Sequence, residues 1–111
     1  MRYLLLICFE ATAAANAQPG LTVDSQAWAK ALEEKGIRSV GGPLGPISDA
    51  RSVRVRDGEV LLEDGPFTET SEQIGGFELI ECADLDEAVA VAARHPVAKL
   101  GTVEVRPLGE E

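Results

Sequence analysis

The chain has 111 residues and a mass of 11.8 kDa, enough for one domain with its own hydrophobic core. Nineteen acidic residues outnumber ten lysines and arginines, so the formal net charge is -9, and such a surface repels the phosphate backbone of nucleic acids. Two cysteines and one histidine exclude a disulfide-built scaffold and a histidine-based metal centre. We therefore expect a soluble globular protein with no nucleic-acid partner, no metal and no other cofactor.

The first apolar segment, Tyr3–Phe9, permits two interpretations. Arg2 before it and the small residues at 15–17 after it resemble a secretion signal with its cleavage site. The run is short for a signal and Glu10 interrupts it, whereas these residue types are typical of a buried strand. We favour the strand. Because no segment reaches the 18 or so apolar residues of a membrane span, we expect a cytoplasmic protein without membrane association.

Two segments carry the period of an amphipathic helix. The first begins at a cap formed by Thr22 or Asp24, and the second begins with the capping box Asp84-x-x-Glu87. The predicted apolar stripes consist of Val23, Ala27, Trp28, Ala31 and Leu32 in the first helix and of Leu85, Ala88, Val89, Ala92 and Ala93 in the second. His95 follows the second helix, where a cation is favoured, and we interpret it as a helix-end cation rather than a catalytic acid.

The segment Ser52–Glu63 carries the clearest local signal, that of a β-hairpin. Asp57-Gly58 favours a two-residue turn, and the flanking residues alternate so that one register satisfies both strands. In that register one face of the hairpin is apolar and consists of Val53, Val55, Val60 and Leu62. Further strands are predicted at Ile37–Val40, Ile74–Cys82 and Thr102–Arg106.

The predicted elements follow the order strand, helix, strand, hairpin, strand, helix, strand. Without the hairpin this is βαββαβ, the pattern of a ferredoxin-like sandwich with both helices on one face of an antiparallel sheet. The first strand and the Ile74–Cys82 strand are apolar on both faces, so the uncovered face predicts a homodimer. The fold class is therefore α+β, a ferredoxin-like sandwich with an inserted β-hairpin. One domain spans residues 1–108, and a short acidic tail follows at 109–111.

The segment Asp64–Phe67, which reads DGPF, together with Glu72–Phe77 resembles the DGPF-domain branch of the YCII-related family. The resemblance takes in the opening strand, the hairpin, the start of the second helix and the closing strand, so it covers nearly the whole chain. It implies a ferredoxin-like fold paired into a dimeric α/β barrel. Most members of this branch have no established function.

In the wider family, a few members are lyase-like enzymes that remove chloride from a ring-cleavage product with a His–Asp pair. The histidine of that pair lies on or near the first helix, and this chain has none there. His95 follows the second helix and cannot take its place. Ser71 also stands where the branch often has a lysine. The resemblance therefore does not imply a complete catalytic pair, and whether the protein is an enzyme stays open.

A candidate ligand pocket is predicted where the turn at Asp64 meets the paired glycines of the following strand. Asp64 serves either as a ligand anchor or general base, or as an Asx turn that fixes the corner after it. The paired glycines either let a ligand approach the backbone or form a bulge. The candidate pocket consists of Asp64, Gly65, Pro66, Phe67, Glu72, Gly75, Gly76, Arg54 and Arg56, with the arginines as counter-charges. Structural readings of these residues compete: a solvated charge for Glu72 and a core or interface position for Phe67.

Three classes of function remain open. They are a small-molecule-binding or regulatory homodimer, a cofactor-independent lyase or isomerase acting on a small organic acid, and a purely structural interaction module. The binding protein is favoured because general acid–base chemistry usually needs two convergent groups, and Asp64 is the only candidate in the motif. Cys8 and Cys82 are either buried free thiols, which we favour, or a redox pair at the ends of adjacent parallel strands.

Overall fold

Four strands form the central sheet of the computed structural model, which describes residues 1–13, 20–66 and 70–109. The elements are β1 (Arg2–Phe9), α1 (Gly20–Glu34), β2 (Arg38–Pro43), β3 (Arg51–Arg56), β4 (Glu59–Asp64), β5 (Gln73–Glu81), α2 (Leu85–Ala93) and β6 (Thr102–Pro107), with 3-10 turns at Ile47–Asp49 and Pro96–Lys99. The strand order is β2-β5-β1-β6, and every neighbouring pair is antiparallel. This is the ferredoxin-like arrangement, so the predicted α+β class is confirmed.

The core lies between the two helices and one face of this sheet. β1 contributes Tyr3, Leu5 and Ile7 because alternate side chains of a strand point to the same face. Trp28 of α1 joins the helices, since its indole Nε1 donates to the backbone carbonyl of Val91 in α2 at 3.2 Å. The predicted strand over the first apolar segment is therefore confirmed. The residues at 15–17 lie outside the described part of the chain, within which no helix is long and apolar enough to cross a bilayer.

The buried face of α2 differs from the predicted stripe. Asp84 caps the helix as expected, because its Oδ1 accepts the backbone N–H of Glu87 at 2.9 Å. Leu85 and Val89, however, are 47% and 50% exposed. The residues that face the core are Ala88, Val91 and Ala92. Both sets satisfy helical spacing, so the period alone does not determine the buried face. Packing against the rest of the fold determines it, chiefly against β6 and including the Trp28 hydrogen bond to Val91.

β3 and β4 pair with each other in a separate two-stranded sheet. The register places Val55 opposite Val60, as the alternation predicts. Asp57 and Gly58 between them have φ angles of 51° and 79°, the pair of positive values that a type I′ hairpin turn requires. Apart from Ser52, every residue of both strands is exposed. The hairpin therefore projects from the body, and the radius of gyration is 15.7 Å, whereas a compact chain of this length has about 13 Å.

The two cysteines lie at opposite ends of the sheet. Cys8 pairs with Ile74, whereas Arg2 pairs with Glu81, the residue before Cys82. Six residues of strand, about 20 Å, therefore separate the two thiols along the sheet. The redox alternative assumed parallel neighbouring strands and is wrong, because β1 and β5 are antiparallel. Both thiols are free, Cys82 is buried and Cys8 is half-buried, and burial raises the pKa of each.

Candidate functional site

A cavity of about 260 Å³ lies between the N-terminal half of α1 and the helix-covered face of the sheet. Its apolar walls are formed by Ile7, Phe9, Leu21, Ala29, Pro43 and Val97, and its polar side chains are Thr22, Ser25, Gln26, Arg38, Glu78 and His95. The backbone of Gly42, Gly75 and Gly76 completes the lining. We call this space the α1 cavity. It admits about one substituted six-membered ring, because a protein cavity of roughly 150 Å³ already holds benzene.

An ion pair between the half-buried Arg38 and the buried Glu78 forms the charged part of the α1 cavity. Arg38 begins β2, Glu78 lies on the neighbouring strand β5, and the guanidinium Nε donates to the carboxylate Oε2 at 2.5 Å. Only 13% and 9% of the two side chains are exposed. Arg38 also pairs with Glu33 near the end of α1. Burial raises the pKa of the Glu78 carboxyl, and the guanidinium offsets part of that rise.

Gly41 makes room for the Glu78 carboxylate beside the backbone of β2. A Cβ atom at this position would overlap that carboxylate and the backbone carbonyl of Phe77. A Cβ at the next residue, Gly42, would meet open space. The geometry of the ion pair therefore depends on one particular glycine of this strand and not on its neighbour.

Replacing Gly41 with alanine is expected to lower the free energy of unfolding by about 2 kcal/mol, because the added methyl group must displace the carboxylate or the strand. The matched control is Gly42→Ala, which adds the same methyl group one residue away and is expected to change stability by less than about 0.5 kcal/mol. Urea denaturation followed by fluorescence measures both. Equal losses in the two variants would contradict a specific role for Gly41.

His95 is a neutral, buried lining residue of the α1 cavity. It is 4% exposed, and its ring meets the Trp28 indole edge-on with centroids 4.7 Å apart. The backbone N–H of Val97 donates to its Nδ1 at 3.1 Å, so the neutral ring carries its proton on Nε2. Burial lowers the pKa of His95 to about 4. The interpretation of His95 as a helix-end cation is therefore wrong, because burial removes the charge that the helix end would favour.

The structure divides the predicted pocket into two parts. Gly75 and Gly76 line the α1 cavity, and a Cβ atom at Gly75 would displace the ring of Phe9. Asp64 does not line this cavity. Its carboxylate is 90% exposed at the end of β4 and pairs with Arg51 Nε at 3.1 Å. The separation arises because Asp64 belongs to the projecting hairpin, so its role in ligand binding stays a prediction.

The other predicted pocket residues are also spread over the molecule. Arg54 and Arg56 are exposed on the hairpin, and Glu72 is half-buried ahead of β5. Gly65 has a φ of 94°, and its N–H donates to the carbonyl of Ala50 at 2.8 Å, which closes the base of the hairpin. Pro66, the next residue, is half-buried, and Phe67 lies outside the described residues. Within those residues, no group of three or more His, Cys, Asp and Glu side chains is placed to hold a metal ion.

Comparison with known proteins gives one family and two informative relatives. The family model for the YCII-related domain matches residues 1–110. An uncharacterised protein of Rhizobium meliloti (strain 1021) is 39% identical over an alignment that spans 76% of this chain and 82% of that protein.

A solved structure shares the fold at lower identity. It is 5-chloro-2-hydroxyhydroquinone dehydrochlorinase from Burkholderia phenoliruptrix AC1100, in complex with 2,5-dihydroxybenzoquinone. It superposes with a TM-score of 0.60 and 18% identity, covering 100% of this chain and 96% of that one. The family model that matches residues 1–110 and the relative that is 39% identical show that the chain belongs to the YCII-related family.

Proposed function

We propose that this protein is a homodimer that binds a small organic molecule in the α1 cavity without a cofactor. The observation that supports this function is the Arg38–Glu78 pair, which is largely removed from solvent and lines a cavity whose walls are partly apolar. A buried ion pair contributes little net stability, since apolar side chains of similar volume do as well or better. Its position in a cavity is therefore better explained by ligand recognition than by folding.

The lining defines the chemical class of ligand. Apolar walls and a volume of about 260 Å³ suit a single ring or a short carbon chain. Arg38 offers guanidinium donors, Glu78 offers an acceptor, and the His95 Nε2–H offers a further donor. We expect a ring or chain that bears hydroxyl, carbonyl or carboxylate groups. The 2,5-dihydroxybenzoquinone bound by the structural relative has this size and chemistry, which makes it a suitable first probe.

The uncovered face of the central sheet supports the homodimer. Its half-buried and exposed apolar side chains are Leu4, Leu6, Val40, Phe77 and Leu79. The register places Leu4 beside Leu79 and Leu6 beside Phe77, so they form one continuous surface. Packing this face on a second copy would give the dimeric barrel that the family resemblance implies. The DGPF branch, supported by the motif at Asp64–Phe67, and a cytoplasmic location stay predictions.

Binding is tested by titrating catechol, hydroxybenzoates and 2,5-dihydroxybenzoquinone into the protein by calorimetry. We expect at least one of these compounds to bind, and Glu78→Gln to weaken its binding at least tenfold, because the neutral amide still accepts from Arg38 but lacks the charge. The control is Glu81→Gln on the same strand, whose side chain is 57% exposed and outside the cavity. An affinity that survives Glu78→Gln would place the ligand elsewhere.

A cofactor-independent lyase or isomerase is the second candidate function. It is favoured because Glu78 and His95 line the same cavity and their pKa values are shifted in opposite directions. The pKa of Glu78 is raised, and the pKa of His95 is lowered. The Glu78 carboxylate would accept a proton from a carbon next to a substrate carbonyl. The electron pair would move onto the carbonyl oxygen, toward the Arg38 guanidinium and the His95 Nε2–H. Incubation of 2,5-dihydroxybenzoquinone in D₂O distinguishes the two functions. Its ring C–H positions lie next to a carbonyl, and only the enzyme exchanges these protons faster than buffer alone does.

A further inference from the structure

The hairpin presents an apolar face that no other segment within residues 1–13, 20–66 and 70–109 covers. We call residues Arg51–Asp64 the hairpin arm. On one of its faces, Val53, Val55, Val60 and Leu62 are 61%, 58%, 69% and 64% exposed. The register places these four side chains in two directly opposed pairs, so they form a single patch. Monomeric proteins rarely expose a contiguous patch of large apolar side chains.

The opposite face of the hairpin arm has the composition of a solvent-exposed surface. Arg56 lies opposite Glu59 and Ser52 lies opposite Glu63, so polar and charged side chains dominate there. The four side chains of the apolar patch are uncharged, and the Arg51–Asp64 ion pair lies beside them on the same face, at the base of the arm. Two copies of a chain with a net charge of -9 repel each other over most of their surfaces. An uncharged patch is therefore one of the few places where they can approach closely.

The uncovered face of the central sheet is too small by itself for a standard dimer interface, and the arm can supply the missing area. Four strands about 4.8 Å apart and six residues long present a footprint of roughly 400 Å² per copy, or about 800 Å² for two packed sheets. A standard protein–protein interface buries 1,200–2,000 Å². The face of one arm measures roughly 10 by 20 Å, so two arms packed on their partners add about 800 Å². Sheet and arms together reach about 1,600 Å², the standard size.

We infer that each hairpin arm packs its apolar face on a second copy of this chain, extending the interface formed by the uncovered sheet face. The inference rests on the homodimer proposed above. Two-fold symmetry makes both arms bind at once, because the same patch occurs on each copy. Dimerisation through the arm and ligand binding in the α1 cavity then use separate elements, since the hairpin arm does not line that cavity.

The test compares two lysine substitutions at adjacent residues of β4. Val60→Lys places a charge on the apolar face, and Leu61→Lys places the same charge on the opposite face. Sedimentation equilibrium measures the dimer dissociation constant of each, and circular dichroism verifies that each is folded. We expect Val60→Lys to raise the constant at least tenfold and Leu61→Lys to change it less than threefold.

A second variant removes the arm entirely. Two glycines in place of residues 51–64 join Ala50 to Gly65, whose backbone groups already form a hydrogen bond. We expect its dimer to be weakened more than a hundredfold. If the wild type is a dimer and its dissociation constant is unchanged in both Val60→Lys and the arm deletion, the arm does not contribute to the interface. The homodimer itself would still hold. If the wild type is a monomer, both the arm interface and the homodimer are wrong. The calorimetric titration of the α1 cavity tests ligand binding separately.

Discussion

Replacing Arg38 with methionine is expected to lower the free energy of unfolding by about 3 kcal/mol at pH 7. The variant keeps an unbranched side chain of similar length but leaves the Glu78 carboxylate buried without its partner. Removing one member of a buried ion pair commonly costs 3–5 kcal/mol for this reason. The second contact of Arg38, with the half-exposed Glu33, adds little to the loss because exposed pairs contribute at most about 1 kcal/mol.

The double variant Arg38→Met/Glu78→Leu separates charge burial from packing. It removes both charges and is expected to recover most of the lost stability, since apolar pairs replace buried ion pairs at little or no cost. Denaturant unfolding of the wild type, the single variant and the double variant measures this difference. If the double variant is as unstable as Arg38→Met, the loss of stability comes from the packing of the aliphatic part of the arginine side chain. It does not then come from a Glu78 carboxylate without a partner.

The pH dependence of the single variant gives an independent measurement. The pKa of Glu78 is already raised in the folded wild type, and loss of the guanidinium raises it further. A folded-state pKa above the unfolded value means that the folded protein binds the proton more tightly, so this group favours folding at low pH and disfavours it as pH rises. The difference in free energy of unfolding between the wild type and Arg38→Met is therefore expected to shrink as pH falls toward the ordinary glutamate pKa.

The fold could be predicted from the sequence because its signals were local and agreed with one another. The turn at Asp57-Gly58 determined the register of the hairpin, and the Asp84 cap placed the start of α2. The choice among equally periodic faces could not be predicted. Val89 is exposed and Val91 is buried because the fold covers only one face of α2, through contacts with distant segments such as β6 and Trp28.

Most of the candidate site could not be predicted because its polar residues come from four separate parts of the chain, namely α1, β2, β5 and the turn after α2. A signal for Glu78 was nevertheless present, since strand alternation places it on the same face as Ile80, which lies in the core. Arg38, which neutralises it, comes from an edge strand forty residues earlier. The motif instead indicates Asp64, its one acid, which lies on the hairpin and does not line the cavity. Of the predicted pocket residues that the structure describes, Gly75 and Gly76 line the α1 cavity.

Acidification is expected to destabilise the protein through His95. The unfolded chain binds a proton at this histidine near pH 6.5, whereas the folded protein does so only near pH 4. Because the folded-state pKa is the lower one, the contribution to stability is complete above pH 6.5 and is lost as pH falls to about 4. A difference of about 2.5 pH units corresponds to roughly 3 kcal/mol. Protonation of Glu78 acts in the opposite direction over part of this range.

The variant His95→Asn isolates this contribution. Asparagine is a good N-cap residue and can still accept the backbone N–H of Val97, but it does not titrate. Its free energy of unfolding is therefore expected to fall by about 3 kcal/mol less than that of the wild type between pH 7 and pH 4. NMR titration of the one histidine in the chain locates the folded-state midpoint directly. A midpoint near 6.5 would show that His95 is charged near neutral pH and would remove it as the neutral donor in the α1 cavity.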